Sequence, residues 1–150
     1  TVLTRQTPWF THRDYHSRNL MVHNDGLVLL DFQDARMGPS QYDLVSLLLD
    51  SYLSLPDALV WELVDAFIQK KQERENHTID REEFFRVFDL MSIQRNLKAI
   101  GTFAYQKKIE NNDRYMRYIA PTLEYVRQAF MRRTELKPLQ TVLSETIPEL

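Results

Sequence analysis

The chain has 150 residues, no cysteine and a formal net charge of -2, with basic and acidic residues intermixed. That balance gives no electrostatic case for a nucleic-acid partner, and the lack of thiols excludes disulfides and thiolate chemistry. No run approaches the ~20 apolar residues of a membrane span and no signal peptide opens the chain, so one cytoplasmic domain with an ordinary core and no membrane partner is expected. Residues 1–10 read as short and irregular, turned by Pro8, with Trp9 and Phe10 expected as plain core below the loop that follows. That loop, Thr11-His12-Arg13-Asp14-Tyr15-His16-Ser17-Arg18-Asn19, is dense in side chains able to do chemistry. Two apolar runs come next, Leu20-Met21-Val22 and Leu27-Val28-Leu29-Leu30, joined by Asn24-Asp25-Gly26. Asp and Gly tolerate the positive φ of a tight turn, so this is a hairpin signal. With Asp25 and Gly26 as the loop residues, Asn24 faces Leu27, Val22 faces Leu29, and Asp31 lands opposite Leu20 and beside Asn19. Asp14, Asn19 and Asp31 are thereby expected at one end of the hairpin.

Two carboxylates and an amide oxygen are hard ligands that suit magnesium held partly by phosphate. Phosphoryl transfer needs that set, with one further acid placed to receive the proton of the attacking hydroxyl. His-Arg-Asp, an Asn five residues after the Asp, then Asp31-Phe32 is the order of the kinase catalytic loop and metal segment. In that reading Asp14 is the base, and Asn19 and Asp31 hold magnesium and with it the phosphates of ATP. His12 completes the catalytic group of Asp14, His12 and Asn19 as a brace of the loop backbone. His16 and Ser17 fall where substrate or metal-bound phosphate passes, and His16 either donates a hydrogen bond there or braces the loop. Arg18 precedes the metal amide and is a further candidate for phosphate. Asp34 faces the acceptor, assists the metal shell, or caps a turn with its own oxygen. The four histidines have no cysteine to accompany them, so a zinc site is not expected.

Gly38-Pro39-Ser40 reads as a turn. Asp43 then opens an apolar run, Leu44, Val45, Leu47, Leu48 and Leu49, as the cap or first-turn acid of a helix over about 43–54. Asp50 and Tyr52 fall near its far end. An acid inside an apolar helix tends to turn toward a cleft, because an unpaired buried carboxylate is costly. Pro56-Asp57 starts a helix to about Glu75, with a face of Leu59, Leu63, Ala66 and Phe67 widened by Val60, Val64 and Ile68. The linker Asn76-His77-Thr78 leads to a helix capped by Thr78 or Asp80 and running to about Gln106. In it Phe84, Val87, Phe88, Met91, Leu97, Ile100 and Phe103 recur at three- and four-residue steps. Its polar interruption, Gln94-Arg95-Asn96, is expected to pair with acids between helices through Arg95. A further helical stretch begins at Asn111-Asn112-Asp113, is ended or kinked by Pro121, and continues to about Arg133. Residues 134–150 are loosely patterned, with a short helix near 139–146. The sum is a mainly α chain carrying a small catalytic β-hairpin.

These motifs resemble the C-terminal lobe of the protein-kinase-like small-molecule phosphotransferases, which include aminoglycoside phosphotransferases and choline kinases. Four stretches narrow the likeness: Asp31-Phe32-Gln33-Asp34-Ala35, Gly38-Pro39, Tyr42-Asp43-Leu44-Val45-Ser46-Leu47-Leu48 with Asp50 and Tyr52, and Gln94-Arg95-Asn96-Leu97-Lys98-Ala99-Ile100-Gly101-Thr102-Phe103-Ala104. They are similar to the bacterial anomeric kinases that phosphorylate N-acetylmuramate and N-acetylglucosamine at C1 during cell-wall recycling, over about residues 9–130. The resemblance implies a lobe with a catalytic loop at 11–19, a metal-binding segment at 31–34, a helical subdomain at 43–133 and an irregular tail at 134–150. It implies ATP and Mg2+ as cofactors and an N-acetylated amino sugar as acceptor. It puts Asp50 at the border of that sugar and has Asp43 hydrogen-bond back to the catalytic-loop backbone.

Arg13 stands where many small-molecule phosphotransferases carry Gly. In protein kinases this arginine pairs with a phosphorylated activation segment, for which the stretch from Asp31 to the next helix leaves no room, so Arg13 is expected as a structural ion-pair partner of a nearby acid. Kinases place a nucleotide-binding lobe ahead of this segment, and here ten residues precede it, without a G-x-G pattern. The resemblance therefore implies a part of a larger protein, one that alone binds ATP poorly and transfers phosphate slowly or not at all. Other acceptors stay open. An aminoglycoside, as a polycation, needs a site lined with acids, and choline needs an aromatic cage, for which Tyr52, Trp61, Tyr105 and Tyr115 are the candidates. A non-catalytic kinase-like binding module is the remaining alternative.

Overall fold

The computed structural model describes Leu3 and residues 6–150, so Thr1, Val2, Thr4 and Arg5 of the expected irregular start lie outside the described residues. Among the described residues four short strands come first, β1 (Trp9–Thr11), β2 (Leu20–His23), β3 (Gly26–Leu29) and β4 (Arg36–Gly38). Five helices follow, α1 (Gln41–Leu48), α2 (Asp57–Glu75), α3 (Arg81–Lys108), α4 (Ile119–Arg132) and α5 (Lys137–Ser144), which make the chain mainly helical. The chain divides inside α3 into two compact units, Thr1–Phe88 and Asp89–Leu150. No helix among the described residues is long and apolar enough to cross a membrane.

In the first unit, β2 and β3 pair antiparallel with Leu20 opposite Leu29, Val22 opposite Leu27 and His23 opposite Gly26. This register lies two residues from the expected one, because Asn24 and Asp25 make the turn rather than Asp25 and Gly26. Both carry positive φ, 46° and 59°, as the favoured two-residue hairpin loop requires, and Asn and Asp reach that region more readily than other side chains. A shift of two keeps the same side chains on each face. The Leu30 N–H donates to the Asn19 carbonyl at 2.9 Å, which brings the next residue, Asp31, back beside Asn19.

β1 and β4 form a second antiparallel pair, with Trp9 opposite Gly38 and Thr11 opposite Arg36. The Thr11 hydroxyl donates to the Arg36 carbonyl at 2.8 Å, and a Cβ on Gly38 would come within 3.1 Å of that hydroxyl oxygen. Trp9 and Phe10, expected as core, are instead 40 % and 72 % exposed. The Trp9 ring carries the Lys71 ammonium 3.7 Å from its centroid, a cation–π contact in place of burial.

α1 stops at Leu48, short of the expected end, because the Asp50 carboxylate takes the Tyr52 N–H at 2.8 Å and turns the chain out of the helix. α2 has the expected bounds and ends on Asn76 in the left-handed conformation. Its buried stripe is Val60, Val64 and Ile68, while Leu59 and Leu63 face water. Ring contacts tie α2 to the start of α3, Trp61 to Phe88 at 5.9 Å and Phe67 to Phe84 at 6.0 Å between centroids.

In the second unit Ile93, Leu123, Val126, Ala129 and Phe130 form the core, with Leu97, Ile100, Leu136, Leu143, Ile147 and Leu150 packed on it. Residues 113–118 are a 3-10 turn, capped by the Asn112 side chain accepting the Arg114 N–H. Pro121 does not end the helix. It sits in the first turn of α4, where no intrahelical partner awaits its missing N–H. The tail opens on a 3-10 turn, Thr134–Leu136, and goes on into α5, with Pro138 in its first turn, near the short helix expected over 139–146.

Candidate active site

The loop from β1 to β2 has no ladder of its own, and two carboxylates hold it. Asp43, in the first turn of α1, accepts the His12 N–H at 2.6 Å and the Arg13 N–H at 2.9 Å, one on each oxygen. Asp50, 1 % exposed, accepts the Ser17 N–H at 2.9 Å and the Tyr52 N–H at 2.8 Å in the same manner. A carboxylate that takes two amide donors can lie buried without an unmet charge. Arg13 and Asp31 both sit at positive φ, 72° and 66°. For residues with a Cβ that conformation costs on the order of 1 kcal/mol and marks sites where the surroundings over-determine the backbone. Gly would adopt it freely. Arg13 contributes through its N–H to Asp43. The ion pair expected of its guanidinium is not formed among the described residues.

Asp14 is half exposed, and each of its oxygens meets one donor. Oδ1 lies 3.2 Å from His16 Nε2, and Oδ2 accepts Asn19 Nδ2 at 3.0 Å. The same amide also donates to the Asp14 carbonyl at 2.9 Å. With its nitrogen committed, Asn19 has Oδ1 as the atom to offer a cation. The His12 ring accepts the Asp14 N–H at Nδ1, 3.3 Å, and Nε2 lies 2.9 Å from the Leu30 carbonyl. A carbonyl only accepts, so the proton resides on Nε2. His12 thus joins the loop that carries Asp14 to the residue just before Asp31.

His16 is 8 % exposed, and its Nδ1 is buried without a partner. Its ring meets the Tyr52 ring edgewise at 5.2 Å, and the Arg18 guanidinium lies 3.7 Å over that same ring. Asp34 is exposed in a turn closed by the Ala35 N–H on the Phe32 carbonyl, and among the described residues it shares no hydrogen bond with this group. Asp14, His12, His16, Asn19 and the Asp31 backbone are brought together, with Asp43 and Asp50 behind them. Sequence reasoning missed the Leu30 carbonyl as anchor of His12, since a backbone acceptor leaves no signature. It also missed the Tyr52–Arg18 stack, for which adjacency in chain offers no signal. Asn19 and Asp31 carry oxygens of the hard type that magnesium takes when phosphate and water complete its shell, while no group of three or more His, Asp or Glu side chains is gathered to hold a metal among the described residues.

Residues 2–85 match the phosphotransferase enzyme family, APH. Over 146 residues the chain is 37 % identical to the N-acetylmuramate/N-acetylglucosamine kinase of Neisseria meningitidis serogroup B, covering 97 % of this chain and 44 % of that protein. The Pseudomonas aeruginosa protein of the same name is 36 % identical over 136 residues, 90 % of this chain and 40 % of its own. The one from Caulobacter vibrioides is 27 % identical over 126 residues, 81 % and 33 % respectively. The chain spans less than half the length of these curated relatives.

Proposed function

Because the chain belongs to the phosphotransferase enzyme family, we propose that its protein transfers the terminal phosphoryl group of ATP to the C1 hydroxyl of N-acetylmuramate or N-acetylglucosamine. The observation that carries this reading is Asp14, held at both oxygens by His16 and Asn19 while half exposed to an incoming hydroxyl. The acceptor follows from relatives that carry these two sugars in their names. Asp14 orients the hydroxyl and takes its proton as the new O–P bond forms. Asn19 and Asp31 would hold a magnesium ion, which would supply positive charge against that developing on the phosphate oxygens. His12 keeps the base and the metal segment in register through Leu30. In this reading residues 1–150 are a kinase-like C-terminal lobe, and the remaining nucleotide contacts belong to the part of the relatives' length beyond it.

The test is the full-length protein with magnesium and ATP against N-acetylmuramate, N-acetylglucosamine, kanamycin and choline, with Asp14→Asn as the blank. Product on the amino sugars, reduced by about 10²- to 10⁴-fold in the folded mutant, is expected for loss of a general base. Product on kanamycin or choline alone overturns the acceptor. No product on any of them, from folded protein, favours a non-catalytic binding module.

A further inference from the structure

His16 has no step in the reaction above, and its setting supplies one. The residue is more than nine-tenths buried, so its ring is packed into the loop rather than offered to an incoming molecule. Its main chain links the base to the metal amide. The His16 N–H donates to the Asp14 carbonyl at 3.2 Å, and the Asn19 N–H donates to the His16 carbonyl at 3.0 Å. Its side chain turns back on the base, with Nε2 3.2 Å from Asp14 Oδ1, and the Tyr52 ring meets it edgewise.

The ring nitrogen that faces a carboxylate oxygen is the one that carries a hydrogen, since two lone pairs would repel. The other nitrogen, Nδ1, is buried without a hydrogen-bond partner among the described residues. The ring therefore has no second contact through which to pass a proton on, and it serves as a fixed donor rather than a relay. Asp14 needs such a donor. It is half exposed, and the Asn19 amide on Oδ2 leaves the carboxylate free to swing about that contact. A second donor on Oδ1 stops the swing. We propose that His16 is a positioning residue for Asp14, its Nε2–H holding the carboxylate in the orientation that takes the acceptor's proton. In that step the hydroxyl proton passes to Asp14, the new O–P bond forms and the bond to the departing ADP oxygen breaks, while His16 keeps its own proton. The inference rests on the reading of Asp14 as the base.

It is tested by measuring kcat, and KM for acceptor and for ATP, in full-length wild type, His16→Leu, His16→Gln and His16→Asn, on the acceptor found active in the panel above. Leu fills the space without a donor. The Gln amide nitrogen reaches as far as Nε2, and that of Asn stops near the place of Nδ1. A base that is loosely held loses about 10- to 100-fold, and His16→Leu is expected to lose it in kcat, with both KM values within about threefold. His16→Gln restores most of the loss and His16→Asn does not, a contrast that a merely structural role would not produce. If His16→Leu does not fold, that contrast decides alone. A kcat for folded His16→Leu near wild type, a Gln variant no better than the Asn one, or a loss carried by either KM overturns the positioning role. The base reading then stands as long as Asp14→Asn is impaired. Normal turnover in Asp14→Asn, or no active acceptor, overturns that reading and the proposal with it.

Discussion

Asp50 shows how one buried carboxylate can brace two segments of backbone at once. Its two oxygens hold Ser17 in the candidate loop and Tyr52 beyond α1, and almost none of it reaches water. Asp50→Ala leaves both amides without an acceptor, and each such group costs about 1–3 kcal/mol. A stability loss of roughly 2–4 kcal/mol by urea denaturation is expected, whereas a change in activity with stability intact would contradict the bracing role. At this scale the sequence was legible in part. The types and spacing of Asp14, Asn19 and Asp31 point to one end of a hairpin, and the Leu30–Asn19 bond brings them there. Which oxygen meets which amide was not legible, because Asp43 and Asp50 look alike as acids beside apolar residues and differ only in the N–H they reach.

Among the elements, the hairpin turn carries the clearest stability lever. Asp25 sits at φ 59° with Gly26 already in the strand, so Asp25→Gly removes a Cβ from a left-handed position. Thermal unfolding should show a gain of about 0.5–1 kcal/mol, and a loss would mean that the Asp25 side chain is itself engaged. α2 could be read to the residue because Pro56 and Asn76 fix its ends locally. β1 and β4 could not, since three-residue strands paired across the loop and the hairpin leave no local periodicity. Farther along α2, the Lys70 ammonium and then the Gln69 amide hold Glu73 below the usual carboxylate range. A depressed folded pKa means that any stabilisation is present above the unfolded value and fades as pH falls through the folded one, and solvent around this exposed pair keeps it small.

For the molecule as a whole, the boundary between the units was hidden because the apolar repeat of α3 runs straight through Phe88 and Asp89. Asp89 is buried and takes Arg132 at 3.0 Å and Arg133 at 2.6 Å, fastening α3 to the end of α4 within the second unit. Asp89→Ala would leave two guanidinium groups facing each other. Since Arg132 is partly exposed, the expected loss is about 2–4 kcal/mol, read from the unfolding midpoint. A change below about 0.5 kcal/mol would reduce the pair to a surface contact.

The hold that Asp43 and Asp50 keep on the loop has a consequence for isotope exchange. The amides of His12, Arg13, Ser17 and Tyr52 lie outside any α-helix or strand, yet each is donated to a carboxylate. In deuterium exchange they should persist on the timescale of helical amides while their loop neighbours wash out. Protection at these four positions would mean that the loop meets its substrates already formed, and rapid exchange at Ser17 would mean that it must be assembled at every turnover.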